Sequence, residues 1–470
     1  MINKVFGYAI GALGSAFFGF IALPLLAWFY SVEDIGRVAM LQVVASFSVL
    51  LFSLGLDQAY TREYHESDDK SKLFKHCFLP GLVLILVSFS VFFLVKPSYI
   101  ASLLYGLPSG LLSIVSIMCF VLTFVSRFLS LIVRMEDRAI AYSMSQLLPK
   151  FIFVLFIVST VLLGLQKDIY NLVIAHTLSI TAVFLIFSWN TRKVWYASIS
   201  IKYDNKQQQT LMKYGLPLVI GGLAFWGLDV MDKLFLRSMS TFEELGIYSV
   251  TMSVAGVVAV FASVFNIIWA PMVYKWLTQG IDINLVNKIS EHVLASIYYV
   301  VVFSALFSWI LPFLLPDEYA PIQYLITLCM IGPLLYTLSE TTVIGIAISK
   351  RTIFSMLASI GAMITNALGN YLLVPTYGAL GAAVSTTFAF VVFYILRTEF
   401  SCKVWRPIPK LKSYLIILAL SILSSLNGFY SDKSSLFIFV WIVFFGVGLL
   451  LFKSSILSMF AYIKKYAFKN

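Results

Sequence analysis

Charged side chains are scarce in this 470-residue sequence: Asp, Glu, Lys and Arg make up 12% of it, against 60% hydrophobic residues. That ratio leaves too little polar surface for a soluble protein of this length. Cysteine is scarce too. Cys77, Cys119, Cys329 and Cys402 lack a C-x-x-C spacing, which argues against a disulfide framework or a thiolate metal site. The four histidines, His65, His76, His176 and His292, form no H-E-x-x-H or other paired cluster, so neither a metal nor a cofactor is expected.

What the chain does contain is fourteen long apolar stretches, the first near 8–30 and the last near 434–452. A run of about 20 apolar residues crosses a bilayer, so the expectation is an all-α polytopic membrane protein with about fourteen transmembrane helices. The first stretch is too long, and lacks the small-residue cleavage site, for a removable signal peptide. Loop charges set the orientation. Of the 33 Lys and Arg residues, 25 fall in loops on one side, six on the other, and two, Arg127 and Lys150, within spans. Cytoplasmic loops collect cations, which predicts that both termini are cytoplasmic. The net charge of +11 is then mostly a topology signal with an attraction to anionic membrane lipids, and nucleic acid is not implied.

The second half repeats the first. Phe6-Gly7 recurs as Tyr214-Gly215, Asp34-Ile35-Gly36 as Glu244-Leu245-Gly246, Tyr142-Ser143-Met144 as Phe354-Ser355-Met356, and Arg138 as Arg351, at offsets from 208 to 213. Ordered matches at a near-constant offset indicate an internal repeat. Six spans is an even number, so the copies enter the membrane in the same sense, as a parallel pseudo-two-fold repeat about the membrane normal. The expected domains are a six-helix lobe over 1–190, a cytoplasmic inter-lobe linker over 191–212, a second six-helix lobe over 213–400, and two extra helices with a basic tail over 401–470. Parallel-repeat transporters place substrate between lobes and rock one against the other. An enzyme working at the outer face needs a folded loop or a dense polar constellation, and the short outer loops offer neither. Transport outranks catalysis.

Ionisable residues inside spans are costly, by about 2.5–3.5 kcal/mol on insertion scales, and mark cavities or partners. Lys150 lies deepest, about 15 Å into its span at 1.5 Å per residue, beside Pro149, where a kink lines up with a cavity. Arg127 and Glu340 lie about 9 and 12 Å from the cytoplasmic edge and are related by the offset that relates Arg138 to Arg351. They form a candidate gate, a salt bridge between lobes that separates when the cavity opens, against the plainer reading of independent pairing within each lobe with Arg127 snorkelling. At the outer end of the seventh span Asp229, Asp232 and Lys233 share a helical face, as a structural ion pair at a helix end or as a site for ion coupling. His176 is a lesser candidate for coupling, with packing as its plainer role. Trp226 and Trp269 are candidate stacking platforms for sugar rings, again against plain helix packing.

Three stretches then carry a family resemblance. Ser31-Val-Glu-Asp-Ile-Gly36 followed by Leu54-Gly-Leu-Asp57-Gln58-Ala59-Tyr60 resembles a second span and its acidic exit. Gly215-Leu-Pro217, Met231-Asp232-Lys233, Gly246-Ile-Tyr248 and Trp269-Ala-Pro271 resemble the seventh and eighth spans. Asn366-Ala-Leu-Gly-Asn370 through Pro375, Gly378 and Gly381 resembles the eleventh-to-twelfth turn. Together, over roughly residues 1–400, they resemble the Wzx-type O-antigen flippases, in the polysaccharide transporter branch of the multidrug/oligosaccharidyl-lipid/polysaccharide exporter superfamily. Asp232-Lys233 stands where that family commonly has Asp-Arg, and the first span lacks the arginine of lipid II flippases, which disfavours a peptidoglycan precursor.

The resemblance implies a transporter rather than an enzyme. It implies movement of an undecaprenyl-pyrophosphate-linked oligosaccharide, an O-antigen or related surface polysaccharide repeat unit, across the bacterial inner membrane during lipopolysaccharide assembly. Lys150 and Arg127 would meet the pyrophosphate, with Trp226 and Trp269 at the sugars. Asp57, Asp229, Asp232, Lys233, Glu340 and His176 would gate or couple to H+ or Na+. A polysaccharide polymerase and a chain-length regulator are the candidate protein partners. The rival readings are a cation-coupled drug exporter of the same superfamily, against which the deep cation Lys150 argues, and a membrane-bound polymerase or acyltransferase.

Overall fold

The computed structural model of the chain describes residues 2–278, 284–349, 351, 353–455 and 457, and every regular element among them is helical. In chain order these are α1 (Ile2–Phe29), α2 (Val32–Phe52), α3 (Leu56–Glu63), α4 (Lys70–Val95), α5 (Tyr99–Tyr105), α6 (Gly110–Met135), α7 (Ala139–Leu162), α8 (Ile169–Asn190), α9 (Arg192–Ser200) and α10 (Asn205–Met239). There follow α11 (Phe242–Thr278), α12 (Asn284–Phe307), α13 (Ile322–Thr342), α14 (Ile344–Ile348), α15 (Ile353–Val404), α16 (Leu411–Phe429) and α17 (Ser434–Leu451). Several helices begin where a side-chain oxygen satisfies the unpaired N–H groups of a first turn. Ser31 accepts from Asp34 N–H at 3.2 Å, Asp69 from Lys72 N–H at 2.9 Å, Ser109 from Leu112 N–H at 3.3 Å and Asp168 from Asn171 N–H at 3.0 Å.

Among the described residues twelve helices are long and apolar enough to cross a membrane. Their outward faces fit lipid, not water: Leu94, Val95 and Leu162 are 80%, 81% and 79% exposed. The 52-residue α15 would reach about 78 Å if straight, far beyond a hydrocarbon core of about 30 Å. Gly378, at φ 50° and ψ −127°, breaks it into two arms. The arms fold against one another, with Asn366 Nδ2 donating to Thr386 Oγ1 at 3.0 Å and no room for a β-carbon on Gly381 beside Leu373 O, 2.5 Å away. These arms are the expected eleventh and twelfth spans.

The helices form two compact units, Met1–Ser249 and Val250–Asn470, with the division inside α11. This differs from the expected lobe boundary. α10, expected to open the second lobe, packs in the first unit against α2, α3 and α4. The expected linker over 191–212 is largely helical and tied down: Lys75 Nζ donates to Ile199 O and Ile201 O at 3.1 and 2.6 Å, and buried His76 accepts at Nε2 from Asp204 N–H at 2.8 Å. Lys72 adds an ion pair to Asp204 at 3.2 Å. Within the second unit α16 and α17 are not appendages. Leu420, Phe437 and Trp441 share one core with Tyr298 of α12, Leu335 of α13 and Tyr394 of α15. Most of the basic tail lies outside the described residues.

Lipid tails are as apolar as leucine, so helices in a membrane associate through close packing at small residues. On α1, β-carbons on Gly11 and Gly14 would lie 2.7 Å from Ser143 and 2.3 Å from Leu147 of α7. An equally close approach joins two helix starts. A β-carbon on Gly36 would lie 2.2 Å from Phe242 O, and one on Gly246 2.1 Å from Val32 O, so the first turns of α2 and α11 touch backbone to backbone inside the first unit.

Gly36→Val or Gly246→Val is expected to destabilise the protein by about 1–3 kcal/mol or more, read as a fall in Tm in detergent, while Gly110→Ala, with open space around it, is neutral. Asp204, whose carboxyl is held below the usual carboxylate range by the Gln207 N–H and by Lys72, contributes stability above its unfolded pKa of about 3.9 and loses it as pH falls through the lower folded value. Asp204→Asn should therefore flatten the acid limb of a Tm–pH profile below about pH 4.

Candidate functional site

The first unit holds a cavity of about 560 Å³, within the range of about 300–1,000 Å³ typical of small-molecule sites. Its construction begins at the turn after α2. Leu54 and Gly55 both take left-handed backbone angles, φ 54° and 69°, and a β-carbon on Gly55 would lie 2.1 Å from Gly215 O of α10. Only a glycine pair lets the turn sit on α10 this way, and a strained non-glycine at Leu54 persists where surrounding packing over-determines it. The turn starts α3 and places Asp57 Oδ2 3.1 Å from Arg127 Nη2 of α6. Asp57 is buried and Arg127 half-buried, so the pair carries one charge of each sign into the wall of an open cavity whose lining is mostly apolar.

α8 and α10 add apolar lining through Ile180, Val183, Leu218 and Val219, and three further helices present residues at one spacing. α2 contributes Ser46, Val49, Leu50 and Ser53; α6 contributes Thr123, Ser126, Arg127 and Ser130; α7 contributes Tyr142, Ser145, Gln146 and Pro149. Each set is i, i+3, i+4, i+7, one face of a helix. Hydroxyls, an amide and a phenol can each donate and accept, and the guanidinium supplies a planar fork for an anionic oxygen. Chemically the cavity suits a polyhydroxylated ligand with an anionic group.

The candidate residues fall in different places. Arg127 and Asp57 line the cavity. Lys150 does not: one residue beyond Pro149, it is turned about 100° around α7, is exposed, and carries its Nζ 3.1 Å from where a β-carbon on Gly19 of α1 would be. Trp226 lies off the lining and touches it through Ser46, its Nε1 donating to Ser46 Oγ at 3.0 Å and its ring 5.0 Å from Phe47. His176 meets Phe153 edge to face at 5.5 Å and lies off the cavity lining, a packing contact between α7 and α8. Asp232 is buried and accepts from the Tyr248 hydroxyl, while Lys233 is half-buried on the same helix. The side chain of Asp229 lies outside the described residues.

The second unit accounts for the others. Trp269 is 1% exposed, stacks on Phe265 at 5.4 Å and donates to Glu340 O at 3.0 Å, so its faces are closed to a sugar. Glu340 pairs with Arg397 of α15 at 2.8 Å, and Arg397 also donates to Ser339 Oγ and lies over the Phe393 ring. Arg127 with Asp57 and Glu340 with Arg397 are thus two pairs, each inside its own unit, as the plainer of the two readings has it. A gate made of these two residues would have to break both.

One cluster went unremarked in the sequence. At the first turn of α2, about 14 Å along the helix from Ser46, Arg37 pairs with Asp34 and Glu33 at 2.7 and 2.9 Å and donates to Tyr105 O at 3.2 Å. Arg237 of α10 donates to Leu103 O at 3.1 Å, and both guanidinium carbons face the Phe242 ring, at 5.0 and 4.5 Å. This clamp ties α2, α5, α10 and α11 together at the end of the unit away from the cavity.

A many-helix membrane bundle of this kind defines a fold class, and solved structures share the fold. A lipid II flippase, MurJ, in an inward closed conformation superposes with a TM-score of 0.69 at 14% identity, covering 96% of this chain and 99% of that one. An inward-facing multidrug resistance MATE family transporter of the MOP superfamily gives 0.55 at 13% identity, covering 88% and 99%. At the level of sequence, a family model described as "Polysaccharide biosynthesis protein" matches residues 1–276, more than half of the chain, and the chain belongs to that family. An uncharacterized membrane protein of Methanocaldococcus jannaschii is 22% identical over 452 residues, covering 89% of this chain and 88% of that protein.

Removing either Asp57 or Arg127 leaves a partly buried charge without its partner. Asp57→Ala and Arg127→Ala are each expected to cost about 1–3 kcal/mol in detergent unfolding, with the double variant costing clearly less than the sum. Lys150→Ala should show no coupling to Asp57 in the same cycle.

Proposed function

We propose that the protein is a flippase for lipid-linked oligosaccharide, moving an undecaprenyl-pyrophosphate-linked repeat unit of O-antigen or a related surface polysaccharide across a bacterial inner membrane by alternating access. The observation that carries this reading is the cavity of the first unit: about 560 Å³, its mostly apolar lining set with serines, a threonine, glutamines and a tyrosine, and with the Arg127 guanidinium half-exposed at its side. Sugar hydroxyls need paired donors and acceptors, and an anionic sugar or phosphoryl oxygen needs a charge-assisted donor. Membership in a polysaccharide biosynthesis family and a fold shared with a lipid II flippase support the same substrate class. Both termini are cytoplasmic in this reading, following the cation count. Arg127 is the substrate contact, Asp57 its resting counter-ion, and Trp226 a support behind Ser46 of the lining. The clamp of Arg37, Arg237 and Phe242 closes the far end and opens in the outward state. The coupling ion is H+ or Na+.

A cation-coupled drug exporter fits less well. The carboxylate lining the cavity, Asp57, is already neutralised by Arg127, and a cationic drug would have to displace a guanidinium to reach it. A polymerase or acyltransferase would need a reacting dyad that the described lining does not supply.

Deleting the gene in its host tests the reading. Single lipid-linked repeat units should accumulate on the cytoplasmic leaflet while surface polysaccharide is lost; unchanged polysaccharide with raised drug sensitivity would favour the exporter. In complementation, Arg127→Ala is expected to lower surface polysaccharide at least about tenfold, and Arg127→Lys by less, since Lys keeps the charge but loses the fork.

A further inference from the structure

The corner where α8 runs into α9 has no part in the cavity, and it is built with care. Trp195 Nε1 donates to Ser188 O at 2.8 Å and Arg192 Nη1 to Trp189 O at 2.8 Å, using carbonyls that the end of α8 would leave unpaired. The Arg192 guanidinium carbon stands 4.4 Å from the centre of the Trp189 ring, and Lys75 fixes the far end of α9 through two carbonyls. The result is a preformed open cleft of about 520 Å³ lined by Leu185, Trp189, Trp195, Tyr196, Arg192 and Lys193.

Three properties of this cleft point to one occupant. Trp189 and Tyr196 are 70% and 72% exposed, and Ile199 is exposed beside them, an amount of open aromatic and apolar surface that water does not favour. The rings sit at the end of a membrane-spanning helix, the level at which Trp and Tyr form interfacial belts, with Leu185 about one turn deeper. No Asp or Glu occurs between Ile169 and Lys202, so the two cations lie in a stretch free of negative charge.

We propose that this cleft binds the headgroup of an anionic phospholipid. The phosphodiester meets the Arg192 fork and the Lys193 ammonium, the glycerol lies against the Trp189 and Tyr196 rings, and the first acyl methylenes run past Leu185. Bound lipid braces the α8–α9 corner, and through Lys75, His76 and Asp204 the start of α10. The site is independent of the transported cargo and of the proposed function.

The test uses full-length protein in detergent and native mass spectrometry with added phosphatidylglycerol or phosphatidylcholine. Wild type should retain phosphatidylglycerol in preference, and the double variant Arg192→Gln with Lys193→Gln should bind it roughly ten- to thirtyfold more weakly while binding phosphatidylcholine unchanged. Equal phosphatidylglycerol retention by wild type and double variant overturns the proposal. Inorganic phosphate at millimolar concentration should not displace the lipid; displacement would show a bare anion site and overturn the lipid assignment. If the double variant does not fold, wild type decides alone: about 1 M salt, with a Debye length of about 3 Å, must erase the preference, and a preference that survives it sinks the idea.

Discussion

The first unit depends on one constraint, that backbones come within van der Waals contact at two glycine pairs. Gly36 with Gly246 joins the first turns of α2 and α11, and Gly55 with Gly215 seats the α2–α3 turn on α10. In water, burial of apolar surface would hold such helices together; in lipid that drive is absent, and contact distance takes its place. From the second pair the rest follows. The left-handed turn at Leu54 and Gly55 aims Asp57 at Arg127, and that pair sets the charge of the cavity wall.

The charge pair also explains how a guanidinium is kept in a membrane bundle. Alone, Arg127 would carry the insertion cost of a buried cation; beside Asp57 its charge is compensated within the protein. The second unit solves the same problem with Glu340, Arg397 and Ser339, with aromatic rings of Phe393 and Tyr336 over the guanidinium. Arg127 and Glu340, one in each unit, carry opposite signs, and each has its counter-ion within its own unit.

At the linker, cations serve as fasteners as well as topology markers. Lys72 and Lys75 hold Asp204 and the end of α9, and His76 uses both ring nitrogens, one toward Lys72 O at 2.8 Å and one accepting from Asp204 N–H. A stretch whose composition reads as a loose basic hinge is in consequence an ordered corner. Charge counts along a sequence record which side of a membrane a loop lies on; they do not record which carbonyls the ammonium groups will find.

The sequence by itself determined what hydropathy and period carry: an all-helical membrane chain, its apolar stretches, the turn at Gly378 inside a family-like motif, and the family resemblance. The polar faces were legible too, since Thr123, Ser126, Arg127 and Ser130 on α6 and Tyr142, Ser145 and Gln146 on α7 follow the 3–4 spacing of a single helix face. Only the tertiary structure decided which faces meet. Lys150 looked central because depth along a span is readable from one chain segment, whereas the 100° between Lys150 and Pro149 matters only once α7 has turned one side to α2 and α6. Trp269 was closed off by Phe265 and Glu340 O, Arg127 was claimed by Asp57, and α10 joined the first unit, each through a partner that is remote in sequence. Periodicity is a property of one helix; pairing is a property of two, and no single stretch of sequence contains it.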